Sequence, residues 1–426
     1  MISSLGGTPS RFVLRACVVA CVLAGATQAQ DSPDGLTMQD AVARALARNP
    51  GVRAAASAVA AERARRDAAA LPPPLVLEGE LEDFAGSGVA AGLDGAETTL
   101  GVGTVLELGG KRALRAAAGD ARVALASTEA DLLRLDLAAE AARRFVAAGA
   151  EQERLALAEE AAAVARRTLE LVQARVEVGR ASDAELASAE VEVTRAELEI
   201  AARRRRAEAL RVALAALWGD ERSDFERVAA RFDEVGEAPP FEALRARLDA
   251  NPDLVRLASE ARILEAERRL ADAQARRDVQ LSAGVRHLGV SDDAALVLGV
   301  SVPLGSTARA APGRAAARAE LERLPLETER RRLDLLATLY ELHQALLGAR
   351  ETFLALTTDV LPEAERAVAL YARGFEVGSH TLLELVEAQE RLLAVRGERL
   401  EAALAYREAA IDIEHLLGGW PPGVVP

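Results

Sequence analysis

Between residues 111 and 178 apolar residues recur at helical spacing with no proline to break the run. At about 1.5 Å per residue such a helix reaches roughly 100 Å. A counterpart is expected from about 313 to 377, interrupted at Pro325 and Pro362. Within it Leu335, Leu339, Leu342, Leu346, Ala349, Phe353, Leu356 and Val360 follow the alternating four-and-three spacing of a heptad seam. Shorter helices are expected at 51–71 and 182–218, and again at 252–276 and 381–417. Two short helices stacked end to end match the length of one long helix, so the pattern describes a rod.

Four stretches switch to a period of two. In 75–84, Leu75, Leu77 and Leu81 alternate with Glu78, Glu80 and Glu82. In 97–108, Leu100, Val102, Thr104, Leu106 and Leu108 oppose Thr99, Gly101, Gly103 and Glu107. In 279–288, Val279, Leu281, Ala283 and Val285 alternate with Gln280, Ser282, Gly284 and Arg286. In 295–304, Leu296, Leu298, Val300, Val302 and Leu304 alternate with Val297, Gly299 and Ser301. This pattern fits strands of a membrane barrel. It also fits hairpins exposed on a helical protein, but those would leave large aliphatic faces in water at about 25 cal/mol per Å2. Four strands cannot close a barrel whose smallest versions need about eight. The membrane reading therefore requires several copies to pool strands, and three copies would supply twelve.

The pattern is written twice. The stretch from Arg48, "RNPGVRAAASAVAAERARR", matches the one from Ala250, "ANPDLVRLASEARILEAER", and 176–219 aligns without a gap on 375–418. Each half reads helix, strand, strand, long helix, turn, helix. The expected organisation is a first repeat at 36–219, a linker at 220–240, a second repeat at 241–418 and a short tail at 419–426. The fold class is mainly α with a small β part. Each long helix ends at a matched "EVG", with Gly179 and Gly378 as left-handed terminators. Ser182 and Thr381 then stand as N-caps with Glu185 and Glu384 three residues later, two capping boxes.

Composition agrees with long helices: 28% of the 426 residues are charged and only 3% are aromatic. Residues 1–29 read as a secretory signal peptide, with Arg11 and Arg15 before an apolar run and small residues at its end. Cys17 and Cys21 both lie inside it, and "VVAC" ending at Cys21 weakly resembles a lipoprotein cleavage site. The remaining chain has no cysteine, which excludes disulfides and thiolate metal sites there. The formal net charge of −14 makes an exported chain a poor partner for nucleic acid. No later stretch is long and apolar enough for a transmembrane helix, so any membrane crossing falls to strands.

Chemistry is sparse. His287, His343, His380 and His415 are isolated, without metal-ligand spacing. The "GGKR" at Gly109 lacks the spacing of a phosphate loop and reads as a strand-to-helix bend. The arginine runs 203–206 and 330–332 lie among glutamates and read as solvated, ion-paired faces. No catalytic residue, cofactor or resident metal is expected. Glu185 and Glu384 occupy equivalent places, with Asp183 and Glu387 within a turn of them. These four are candidate entrance carboxylates that would favour cations in a pore, although capping alone accounts for the two glutamates.

With the duplication, the strand pairs, the rods and the leader in hand, the chain resembles the TolC-type outer membrane factors over nearly its whole length, from about 36 to 418. "LELGGKR" at 106–112 resembles the CzcC-like heavy-metal branch, and the stretch from Tyr371 resembles the family's closing helical pair. The resemblance implies a homotrimer with a twelve-stranded β-barrel in outer-membrane lipid and an α-helical barrel across the periplasm. It implies a passive exit duct for divalent heavy-metal cations, served by a periplasmic membrane-fusion adaptor and an inner-membrane proton-driven transporter. A multidrug or protein-secretion duct of the same fold, and a periplasmic coiled-coil scaffold without a pore, stay open as alternatives. The adaptor would meet Val178, Gly179, Arg180, Ala181 and Ser182, and Val377, Gly378, Ser379, His380 and Thr381. Arg180 and His380 stand where the family more usually has small or apolar residues, so partner choice is expected to differ there.

Overall fold

A computed structural model describes residues 35–88, 91–93 and 95–424. The expected leader at 1–29, with both cysteines, lies outside them. The first half runs through α1 (Met38–Arg48), α2 (Pro50–Ala69), β1 (Val76–Glu82), β2 (Glu97–Leu106), α3 (Lys111–Glu177) and α4 (Asp183–Ala215). The second runs through α5 (Phe241–Arg245), α6 (Pro252–Gln274), β3 (Val279–Leu288), β4 (Asp293–Ser301), α7 (Ser306–Ala355), a π-helical turn (Leu356–Val360), α8 (Leu361–Glu376) and α9 (Leu382–Leu416).

Packing follows the length arithmetic. The 67-residue α3 packs on α2 and α4, while α7 packs on α6 and α9 and α8 packs on α9. Contacts of α3 with α6 and α9 join the halves. Each stacked pair is spliced by an asparagine. Asn49 caps α2 by accepting from Gly51 N at 2.7 Å, and its Nδ2 donates to the Leu217 carbonyl just past α4 at 2.7 Å. Asn251 repeats this, accepting from Asp253 N at 2.9 Å and donating to the Leu416 carbonyl of α9 at 2.7 Å. One amide thus satisfies a free N–H at one helix start and a free C=O at another helix end. Pro50 and Pro252 follow, each at a position where the missing N–H costs nothing.

The main core forms where α1, the middle of α3, the end of α4 and the 225–232 stretch converge on α9. Ala138, Phe145, Val146, Leu214, Trp218, Phe225, Val228, Phe232 and Leu400 are buried there. Leu36 pairs with Val228 in a parallel bridge. Gly149 lets the 225–232 stretch lie directly on α3, because a Cβ there would overlap Ala230. Beside this core, Glu151 is buried and held by Arg154 of α3 at 3.2 Å and Arg203 of α4 at 3.2 Å. Arg154 also grips Glu401 of α9 at 2.7 Å through both nitrogens, which raises its pKa above the ordinary value.

Two expectations need correction. The second long helix begins at Ser306, seven residues before Gly313, and runs unbroken through Pro312 and Pro325. Each proline removes one backbone bond, and packing on α6 and α9 carries the helix through. The heptad seam also does not end at Val360. Leu335, Leu339, Leu346, Phe353 and Leu356 are buried, but Val360 is 41% exposed. The π-turn inserts one residue, so Leu361 takes the seam and Ala364, Val368, Tyr371 and Phe375 continue it, all less exposed than their outer neighbours. Pro362, unable to donate to the Thr358 carbonyl, is the local reason the wider turn sits here.

The four strands form one antiparallel meander in the order β1-β2-β3-β4, so β2 and β3 join the hairpins of the two halves. The register sorts the side chains. Leu77 pairs with Val102, Val102 with Ala283 and Ala283 with Leu298, all on one face. Glu80 pairs with Thr99, Thr99 with Arg286 and Arg286 with Ala295, all on the other. The apolar face is open, with Leu77 at 74%, Leu296 at 85% and Leu298 at 80% exposure. Curvature is visible at the glycines. A Cβ on Gly284 would lie 2.7 Å from the Leu100 carbonyl oxygen and 2.9 Å from Gly101 Cα, whereas one on Gly79 would meet nothing within 4 Å. The polar, glycine-rich face is therefore the concave one and the aliphatic face the convex one. The outer edges of β1 and β4 have no partner strand among the described residues.

Candidate functional site

At the end of the rod opposite the sheet, α3 gives way to α4 and α8 to α9 through matched turns. In the first, Gly179 adopts φ +68°, Gly179 N donates to the Val176 carbonyl at 2.9 Å and Arg180 N to the Arg175 carbonyl at 2.7 Å. In the second, Gly378 adopts φ +77°, Gly378 N donates to Phe375 O at 3.1 Å and Ser379 N to Gly374 O at 2.8 Å. These are paired Schellman closures, which a left-handed glycine permits without strain. The capping boxes follow. Glu185 Oε2 accepts from Ser182 N at 2.7 Å, and Glu384 Oε2 accepts from Thr381 N at 2.7 Å and from Thr381 Oγ1 at 2.9 Å. The Thr381 backbone N–H first, then its hydroxyl and the neighbouring His380, hold the Glu384 carboxyl below its usual range.

The two turns are not identical. His380 stacks edge-on against Tyr371 with ring centroids 4.9 Å apart, and its Nδ1 lies 3.5 Å from Glu384 Oε2. The ring occupies space left by Gly374, where a Cβ would overlap it. In the aligned first repeat Val172 and Arg175 stand in place of Tyr371 and Gly374, so no equivalent slot exists. Reading the glycine turns alone misses Tyr371 and Gly374, which lie just before the gapless alignment of the halves at 375–418. Arg180 is exposed and makes no ion pair among the described residues. Between the turns, Val172, Ala189 and Leu382 form a small buried cluster joined by Phe375 and Leu186. Val178 and Val377 point outward, Val377 at 80% exposure. Ala181 is half-buried, while Ser182, Ser379 and Thr381 are exposed.

The four carboxylates are differently engaged. Glu185 and Glu384 serve their own helix starts, and Glu387 lies 3.7 Å from Arg391. Asp183 is exposed in the first turn of α4. Among the described residues no three His, Cys, Asp or Glu side chains converge as a metal site, and no helix is long and apolar enough to cross a membrane. On the concave face of the sheet, Arg286 joins three strands, bonding Glu97 at 3.0 Å, Thr99 at 2.9 Å and Glu82 at 2.7 Å.

Comparison with known proteins agrees with this architecture. The model of the family "Outer membrane efflux protein" matches residues 41–220 and 243–419. The cobalt-zinc-cadmium resistance protein CzcC of Cupriavidus metallidurans is 29% identical over 315 residues, covering 74% of this chain and 75% of CzcC. The nickel-cobalt-cadmium resistance protein NccC of Alcaligenes xylosoxydans xylosoxydans is 28% identical over 341 residues, covering 75% and 74%. The solved outer-membrane channel OprN shares the fold at a TM-score of 0.74 and 19% identity, with 92% of each chain covered. With both repeats matched and the duplicated rod and four-stranded sheet in place, the chain belongs to the outer membrane efflux protein family.

Proposed function

We propose that this outer-membrane efflux channel is the passive exit duct of a tripartite system that expels divalent heavy-metal cations. The observation that carries the reading is the curved sheet, with its mostly aliphatic convex face, its polar concave face and its two open edges. Such a sheet is a third of a closed barrel: three copies supply the twelve strands, put the aliphatic face in lipid and enclose a polar lumen. The rod then reaches into the periplasm. In that assembly Val178 to Ser182 and Val377 to Thr381 meet a periplasmic membrane-fusion adaptor, and an inner-membrane proton-driven transporter supplies the energy. Asp183, Glu185, Glu384 and Glu387 would ring the narrow entrance, where carboxylates favour cations. The metal class is supported by the names of CzcC and NccC, which speak of cobalt, zinc, cadmium and nickel resistance.

Deleting the gene from its host and comparing growth on zinc, cobalt, cadmium, nickel and copper tests the reading. Sensitivity to at least one of these metals, reversed by a plasmid copy, is the expected result. Growth equal to the parent on all five would remove the metal assignment.

A further inference from the structure

Where the sheet meets the helices, the aliphatic face ends abruptly in arginine. Leu75, Leu106 and Leu304 are exposed at the foot of the convex face, Leu304 at 79%. One step further from the strands lie Arg112 in the first turn of α3, Arg276 and Arg277 just before β3, and Arg309 in the first turn of α7. All four are exposed, and none makes an ion pair among the described residues. Arg277 stands two residues before Val279, which in extended chain places it on the side of the aliphatic face.

Many helical arginines in this molecule are matched to a glutamate or aspartate, and these four are not. The acids at this level are already committed: Asp278 to Lys111 at 2.8 Å and Glu107 to Arg115 at 2.9 Å. Neither α3 nor α7 has an acidic residue in its first turn, whereas α4 and α9 at the other end do. A cation near a helix start is electrostatically unfavourable unless an anion lies beside it. The sequence also lacks the usual anchor of a barrel at a lipid boundary. Residues 71–112 and 276–309 contain neither Trp nor Tyr, and Phe84 sits at the far end of the strands.

We propose that Arg277 and Arg309, with Arg112, form a basic girdle that binds anionic phospholipid headgroups of the inner leaflet of the outer membrane. This rests on the barrel reading above. Guanidinium matches the phosphate oxygens in a two-pronged geometry, and the adjoining leucines take the acyl chains. The girdle does the work an aromatic belt does elsewhere, fixing the depth of the channel.

The test compares wild-type protein with the Arg277→Gln/Arg309→Gln double variant, and with the corresponding lysine pair. Arg112 is kept, because its Nε donates to the Ala70 carbonyl at 2.5 Å. Each full-length protein, purified from outer membrane, is placed in nanodiscs of phosphatidylglycerol and phosphatidylcholine, and retained lipid is measured by native mass spectrometry. Wild type is expected to retain phosphatidylglycerol preferentially, with the preference falling about fivefold for each arginine neutralised. The lysine pair should keep it. Equal lipid preference in wild type and the glutamine variant, both recovered as membrane-embedded oligomers, overturns the girdle and leaves the barrel standing. Wild type recovered only as a soluble protein overturns both.

Discussion

Gly378 ends α8 with φ +77°, a conformation that costs any residue with a Cβ about 1–2 kcal/mol. Gly378→Ala should therefore loosen the second turn, and Thr381→Ala should cost it about 1 kcal/mol by freeing the backbone N–H of Glu384. Hydrogen exchange at 375–385 reads both, and protection equal to wild type would show the turn is held by something else. The same turn carries a pH dependence of definite sign. The Glu384 carboxyl titrates below its usual value because the folded turn donates to its ionised form. Its contribution is thus present above the unfolded carboxylate pKa of about 4.3 and is lost as pH falls through the lower folded value. Protection of the turn should fall once the pH drops below about 4.3, and Glu384→Gln should abolish that fall. The glycines, caps and carboxylates of both turns are written in the sequence as short motifs. The seat of His380 is not, since it needs Gly374 and Tyr371 one and two helical turns earlier to be seen as one slot.

Among the elements, the long helices and the strand pairs were legible because periods of 3.6 and 2 extend over many residues and occur twice. The departures occur where a local backbone event breaks a repeat. The π-turn at Leu356–Val360 changes the phase of the seam by one residue, and a pattern that was regular up to Leu356 gives no notice of it. The pairing of β2 with β3 links residues nearly two hundred positions apart, which alternation alone cannot assign. The asparagine splice shows the same division. Asn49 and Asn251 are visible as a repeated pair with proline, but the carbonyl each one reaches belongs to a different helix. Asn251 is buried, so Asn251→Ala removes a cap and leaves the Leu416 carbonyl without its donor. The expected cost is about 2 kcal/mol. Asn251→Asp keeps the acceptor but not the donor, and should fall between the two. Thermal unfolding followed by helical circular dichroism orders the three proteins, and an alanine variant as stable as wild type would mean the stacked helices are joined by apolar packing alone.

At the scale of the whole molecule, a single chain is physically incomplete in two ways. It leaves an aliphatic sheet face in water and leaves the outer edges of β1 and β4 without partners among the described residues. In the proposed barrel lipid meets the first need and another copy the second, since open edges of a curved sheet pair with whatever strand is offered. If the edges meet, β1 of one copy lies antiparallel to β4 of the next, and the ring closes after three. Cysteine chemistry can test this cleanly, because Cys17 and Cys21 lie in the expected leader and no other cysteine is present. Glu80 of β1 and Val297, Gly299 and Ser301 of β4 all lie on the concave face. Combining Glu80→Cys in turn with cysteine at each of the three β4 positions samples the unknown stagger of the joint. Mild oxidation in membranes should give covalent trimers for the pair nearest in register, through intermediate dimers, and little for the others. A circular trimer contains three such joints, so partial oxidation should run as dimer and trimer with no larger species. A ladder extending beyond three would mean the sheets add without closing. Monomers alone at every pairing would mean that the edges never meet, and the aliphatic face would then have to be covered by something other than a pooled barrel.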